Sequence, residues 1–265
     1  MIELRDVRYG VGEHTILDGV DLHVHSGEIV AVMGMSGSGK STLLKLIIGL
    51  LHPTSGDVKL LGESIVGLPE VRLNELRRQV GLVFQYGALF DSMTVGENVA
   101  FGLRQHQRLP EAELSERVAH ALEVVGMGGT QSLMPAELSG GMLKRVSMAR
   151  AMVMDPRIML YDEPSSGLDP IVAAMIDELI VCMRDRFGVT SVVVSHHVRN
   201  VFAIADRAAF LHAGRIHAVG SPEELSRSSD AALQQFINGR PDGPIEPGHE
   251  GLELVETARG ERSHA

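Results

Sequence analysis

Residues 29–41 restrict the possible folds of this chain more than any other stretch. A continuous apolar run, Ile29-Val30-Ala31-Val32-Met33, passes directly into Gly34-Met35-Ser36-Gly37-Ser38-Gly39-Lys40-Ser41, with Thr42 next. Such a run predicts a central strand buried on both faces. Residues 41–51 behind the loop read as an apolar helix. The glycine spacing fits G-x-x-x-x-G-K-[ST], a loop whose backbone N–H groups turn inward to cradle phosphates. The following helix presents its positive N-terminal end to the same phosphates. Lys40 is placed to reach the β- and γ-phosphates, and the Ser41 hydroxyl to ligate Mg²⁺. The competing reading is a chance glycine turn, and the strand before and helix after the loop weigh against it.

The rest of the chain alternates in texture. Leu17, Val20, Leu22 and Val24 are spaced as in a strand with a local irregularity, and Pro53, Gly56 and Gly62 punctuate a turn and another strand pair. From about residue 95 to 154 helical periodicity dominates, with Val118, Leu122 and Val125 on one face. After Pro156 strands return as Ile158-Met159-Leu160-Tyr161 and Ser191-Val192-Val193-Val194, separated by a helical stretch over 171–187. This order predicts an α/β parallel-sheet core with an inserted helical subdomain at about 86–154.

Two further sites carry chemistry. Asp162 and Glu163 end an apolar strand about 120 residues after the phosphate loop. Asp162 suits a Mg²⁺ shell, and Glu163 suits orienting or deprotonating an attacking water. Leu138-Ser139-Gly140-Gly141-Met142 opens a helical run in which Ser139 is a good N-cap and the glycines allow close approach to an anion. Taken alone, this is a capped helix. One nucleotide site does not need a second such terminus, which makes sense if it faces a γ-phosphate held by another copy of the chain.

The phosphate loop, Leu-Ser-Gly-Gly and strand-Asp-Glu, in this order, resemble the ATP-binding-cassette (ABC) ATPases over roughly residues 1–238. The resemblance implies a phosphate-loop NTPase fold with an N-terminal antiparallel β subdomain, and two ATP molecules sandwiched between two subunits. Every nucleotide-contacting motif is intact, which favours a homodimer. Gln85 resembles the family's glutamine that touches Mg²⁺ and the water. Tyr9, 25 positions before Gly34, resembles the aromatic that stacks on adenine, with sheet packing as the alternative. Ser166-Gly167-Leu168-Asp169 resembles the loop that crosses to the opposite subunit, or is simply a turn before the helix at Pro170. His196 resembles the switch histidine at the γ-phosphate. His197 stands where the family often has Asp, and no further ligand at a suitable local spacing turns this pair into a metal site. The family implies ATP, with Mg²⁺, as what the site binds.

Within the family, Met142 after the signature, the apolar stretch 84–90 and the segment 236–245 resemble the ATPases of Mla-type phospholipid transporters. That implies an MlaE-like membrane permease, an MlaD-like MCE-domain protein and an MlaB-like STAS-domain protein as partners. Residues 86–101 would receive a permease helix. The location implied is the cytoplasmic face of a bacterial inner membrane. No apolar run is long enough to span a bilayer, and the N-terminus has no export-signal pattern. The single cysteine, Cys182, fits a reducing compartment. Two alternatives remain open here: an ABC ATPase serving another small solute, and a soluble ABC ATPase acting on nucleic acid or ribosomes. The formal charge of −10 argues against a nucleic-acid partner. Residues 241–265 hold six acidic and two basic residues, a net −4 of that charge. Segment 239–265 is expected to be an acidic extension, clasp-like over 236–245 and loose over 251–265.

Overall fold

A computed structural model describes residues 1–245 of the chain. The chain divides into two compact units, Met1–Leu225 and Ser226–Ala265. The first unit begins with β1 (Ile2–Val11), β2 (His14–Val24), β3 (Ile29–Met33), α1 (Lys40–Ile47), β4 (Ser55–Leu60), β5 (Glu63–Ser64), α2 (Glu70–Arg77) and β6 (Val80–Val83). The helices α3 (Val95–His106), α4 (Glu111–Val124) and α5 (Gly140–Met152) follow. The αβ pattern then resumes with β7 (Ile158–Asp162), α6 (Pro170–Phe187), β8 (Thr190–Ser195), α7 (Val198–Ile204), β9 (Arg207–His212) and β10 (Arg215–Gly220).

The strands form two sheets. One is antiparallel, in the order β2-β1-β4-β5, and the other runs β10-β9-β3-β8-β7-β6. In the second sheet β9, β3, β8, β7 and β6 pair in parallel, and β10 is an antiparallel edge strand. Central β3 is buried at every residue. Side chains on a strand alternate between faces, and both faces of this sheet are apolar. Val30, Val32, Leu160, Val192 and Val194 join a core shared with the antiparallel sheet and α1. Ile29, Met159, Tyr161 and Val193 join a second core with Leu103, Leu122, Val146 and Met148 of the helical region. That two-sided burial explains why the sequence shows continuous apolar runs here and not alternation.

Register decides where the chemistry sits. Met33 lies opposite Ser195, Asp162 opposite Val194, and Val83 opposite Tyr161. The carboxyl ends of β3, β6, β7 and β8 therefore finish at one sheet edge, where ligands of open α/β sheets bind.

Local signals account for the helix ends. Thr94 and Glu97 form a reciprocal capping box on α3. Asn98, fully buried, accepts from Phe90 N–H and donates to the Phe90, Met93 and Thr94 carbonyls, which orders the turn before α3. One expectation is shortened: α1 ends at Ile47, not near 51. Gly49 takes φ 69° and sends the chain out of the helix, an αL cap that satisfies the last carbonyls.

In the second unit, Asp230 caps α8 (Ala231–Asn238) by accepting from Leu233 N–H at 2.7 Å. The Gln235 side chain bonds both main-chain groups of Ile245, accepting at 2.7 Å and donating at 3.0 Å. The expected loose tail at 251–265 lies outside the described residues.

Candidate nucleotide site

The phosphate loop connects β3 to α1. Its turn depends on glycine at two points. Gly39 sits at φ 100° as the N-cap of α1, where L side chains are strained, and an added Cβ would lie 2.8 Å from Leu17 Cδ2. A Cβ on Gly34 would lie 2.2 Å from the Leu211 carbonyl oxygen. Lys40 reaches back into the loop and donates to the Gly34 and Met35 carbonyls at 2.9 and 2.8 Å. Its ammonium lies 3.8 Å from Glu163 Oε1. Burial pushes its pKa down, and the charges of Glu163 and Asp162 oppose that fall.

Ser41 and Asp162 meet across the sheet edge, the Ser41 hydroxyl donating to Asp162 Oδ1 at 2.8 Å. Burial raises the Asp162 pKa, and the Glu163 charge raises it further against the Ser41 hydrogen bond. A hydroxyl beside a carboxylate is a hard oxygen donor set of the kind Mg²⁺ takes, and a cation there would stabilise the ionised acid. These residues fit the metal.

Glu163 follows β7 at φ 48°, a left-handed conformation that costs a non-glycine residue about 1–3 kcal/mol. Its N–H donates to the Val194 carbonyl at 3.0 Å, which holds that bend against β8. Oε1 lies 2.9 Å from His196 Nδ1. Oε2 is buried with no partner among the described residues, and so is Ser38 Oγ in the loop. Two orphaned polar atoms beside an anion nest are what a site built for a phosphate ligand and its water would show. The cavity here measures about 350 Å³ and is lined by Ile16, Ser36, Gly37, Gly39, Lys40, Ser41, Thr42, Gln85, Glu163 and His196. Beside it, His197 N–H donates to Ser195 Oγ at 3.1 Å; burial and the neighbouring His196 lower the His197 pKa.

Other expected residues lie elsewhere. Tyr9 sits on β1 opposite Leu17 and packs partly buried against the core. It does not line the cavity, whereas Ile16 does. Ser139 caps α5, its Oγ accepting from Met142 N–H at 3.3 Å. Ser139 and Gly140 are exposed and Gly141 is buried, and none of the three lines the cavity of its own chain. Asp169 caps α6 by accepting from the Ile171 and Val172 N–H groups.

Two residues close to the site were not singled out from sequence. Ile16 gives no signal beyond its place in a strand. Lys144 does give one, because it shares a helix face, at four-residue spacing, with buried Met148 and Met152. A lysine on that face needs a buried partner.

Comparison with known proteins agrees with this geometry. The ABC transporter family model matches residues 17–166. The chain is 42% identical over 245 residues to the intermembrane phospholipid transport system ATP-binding protein MlaF of Haemophilus influenzae, covering 92% of this chain and 93% of that one. It is also 42% identical over 262 residues to protein trigalactosyldiacylglycerol 3, chloroplastic, of Arabidopsis thaliana, covering 92% and 75%. Among solved structures, a dimeric ATP-binding cassette in a post-hydrolysis state with ADP and Pi superposes with a TM-score of 0.77 at 32% identity, covering 84% and 99%. The chain belongs to the ABC transporter family and is one of its ATP-binding, ATP-hydrolysing subunits.

Proposed function

We propose that this subunit powers an inner-membrane phospholipid transporter of the Mla type, as a homodimer on the cytoplasmic face. The observation that carries the reading is the 42% identity, across 92% of the chain, with an ATP-binding protein of an intermembrane phospholipid transport system. The dimeric cassette that superposes on this chain supports pairing. So does the exposed Ser139 terminus, which lies away from its own cavity and is available to a second copy's γ-phosphate.

Each residue then has a task. Lys40 exchanges the Gly34 and Met35 carbonyls for β- and γ-phosphate oxygens, a stronger charge-assisted contact. Backbone N–H groups of 34–42 hold the phosphates, and Tyr9 stacks on adenine. Glu163 accepts the proton of the attacking water, a contribution of about 10²–10⁴ in rate. His196, positioned by Glu163, contacts the γ-phosphate, and Gln85 orients the water. Ser41, Asp162 and Gln85 would hold Mg²⁺, which supplies charge neutralisation at the phosphate oxygens.

Among the described residues no helix is long and apolar enough to cross a membrane, so the spanning is assigned to an MlaE-like permease. A groove of about 620 Å³, lined by residues including Phe84, Phe101, Arg78 and Arg150, supports docking of a permease helix, and of the expected segment 86–101 it takes in Phe101 alone. An MlaD-like MCE protein lies across the membrane. An MlaB-like STAS protein contacts the clasp at 236–245, which the Gln235–Ile245 bonds hold in one shape.

Affinity purification of the full chain from its native membranes, with mass spectrometry, is expected to recover the permease together with an MCE-domain protein. A permease recovered without any MCE protein would point to another small solute, and ribosomes or nucleic acid in its place would overturn the transporter reading.

A further inference from the structure

One stripe of α5 grips the loop that follows β6. Lys144, Ser147 and Arg150, at three-residue spacing, share a helix face. The Lys144 ammonium donates to the Gln85 carbonyl, and at 3.3 Å to the Glu163 carbonyl. Ser147 Oγ donates to the Gly87 carbonyl at 2.7 Å. Arg150 donates to the Gly87 and Ala88 carbonyls at 3.0 and 2.6 Å. The main chain of 85–88 is thus bound to the helix that starts at Ser139.

Lys144 differs from the other two in what it joins. Ser147 and Arg150 hold one loop. Lys144 joins that loop to Glu163, in a second segment that ends β7. It is only 6% exposed, and burial lowers its pKa while the Glu163 and Asp162 charges hold it up. Burying an ammonium is costly unless its donors are satisfied, and a methionine would fill this core position without that cost. The cost is explained if the position needs a donor and not merely volume. Both carbonyls belong to residues whose side chains line the nucleotide cavity. Glu163 has a left-handed backbone, so the aim of its carboxylate depends on how that backbone is held.

We propose that Lys144 is a positioning residue: by bonding the Gln85 and Glu163 carbonyls it couples the signature helix to the two side chains that orient the attacking water in its own chain's site. It touches neither water nor nucleotide and acts through the two backbones it bridges. The inference rests on the homodimer reading, in which Ser139 at the start of the same helix serves the opposite site.

Mixed dimers of the full chain test it. Combining Lys40→Ala with Ser139→Arg subunits leaves one intact site per heterodimer, formed by the nucleotide-binding side of the Ser139→Arg chain and the signature of the Lys40→Ala chain. Recovery of ATPase activity in that parent mixture establishes the geometry, and no recovery under efficient exchange overturns the homodimer reading itself. Lys144→Met is then added to one chain at a time. On the Ser139→Arg chain it is expected to lower the recovered kcat at least about tenfold, with the Kd for ATP within about twofold of the parent. On the Lys40→Ala chain it should leave recovery unchanged. Equal effects on both chains would mark a general packing role for α5, and no effect on either would remove Lys144 from the mechanism; both overturn the proposal. If Lys144→Met lowers the melting temperature by more than about 10 °C, a loss of several kcal/mol in a domain of this size, the same pair of mixtures is run with Lys144→Gln. Its shorter amide preserves a buried polar group but does not span both carbonyls.

Discussion

His196 Nδ1 lies 2.9 Å from Glu163 Oε1, while Glu163 Oε2 is buried and unbonded among the described residues. One carboxylate oxygen is occupied in holding the imidazole, and the other has no hydrogen-bond partner among the described residues. Glu163→Gln should keep ATP binding and trap an ATP-bound dimer, with hydrolysis lowered by about 10²–10⁴. Size-exclusion chromatography with ATP, alongside phosphate release, checks both. A variant that stays monomeric in ATP and still hydrolyses it would contradict the assignment of the base.

Lys40 and Ser41 should separate binding from turnover. Lys40→Ala removes the cation aimed at the phosphates and is expected to abolish nucleotide binding or turnover; unchanged hydrolysis would sink the site. Ser41→Ala loses the bond to Asp162 Oδ1. It should raise the Mg²⁺ concentration needed for half-maximal activity about tenfold or more, as expected when one metal contact is lost. A Mg²⁺ titration of the two proteins decides it.

Asp177 gives a stability prediction away from the nucleotide. Its carboxylate accepts from Asn200 Nδ2 at 2.6 Å, and burial raises its pKa from 3.8 to about 6. In the folded state it binds its proton more tightly than when unfolded. It therefore costs nothing below about pH 4; stability is lost as pH rises from about 4 to 6, where the unfolded chain gives up this proton first, and the loss is complete, at roughly 3 kcal/mol, above the folded pKa. Asp177→Asn, which can still accept from Asn200, should melt higher than the wild type at pH 7.5 and match it near pH 4. Equal melting curves at both values would show that the carboxylate ionises freely in the fold.

Truncation after Asn238 removes the Ile245 groups bonded by Gln235. The shortened chain is expected to bind the STAS partner more weakly or to form a less stable dimer, measured by calorimetry and by dilution. Wild-type behaviour in both would make the segment a linker.

Several of these features were legible in the sequence because their geometry is local. The strand-loop-helix unit at 29–47, the Ser139 cap, the turn before the helix at Pro170 and the buried face of Val118, Leu122 and Val125 each depend on residues within a few turns of one another. The end of α1 is not legible in the same way, because the apolar run 46–51 continues the helical pattern past Gly49 and only the backbone shows that glycine turned left-handed. Tyr9 and Ile16 lie on adjacent paired strands, and which of them faces the loop depends on how β2 crosses it.

By itself the sequence determined which groups could do chemistry: a phosphate loop, a strand-end acid pair, a histidine and a second helix terminus. Tertiary structure decided which of them meet. Ser41 and Asp162 are 121 residues apart and bond because β3, β8 and β7 lie in parallel register and end at one edge. Lys144 reaches Gln85, 59 residues before it, because α5 packs against β6. Spacing along a chain carries no information about strand order or helix packing. Those follow from burying both faces of one sheet, and that burial places a loop, two acids, a histidine and a buried lysine within reach of each other while leaving Ser139 outside.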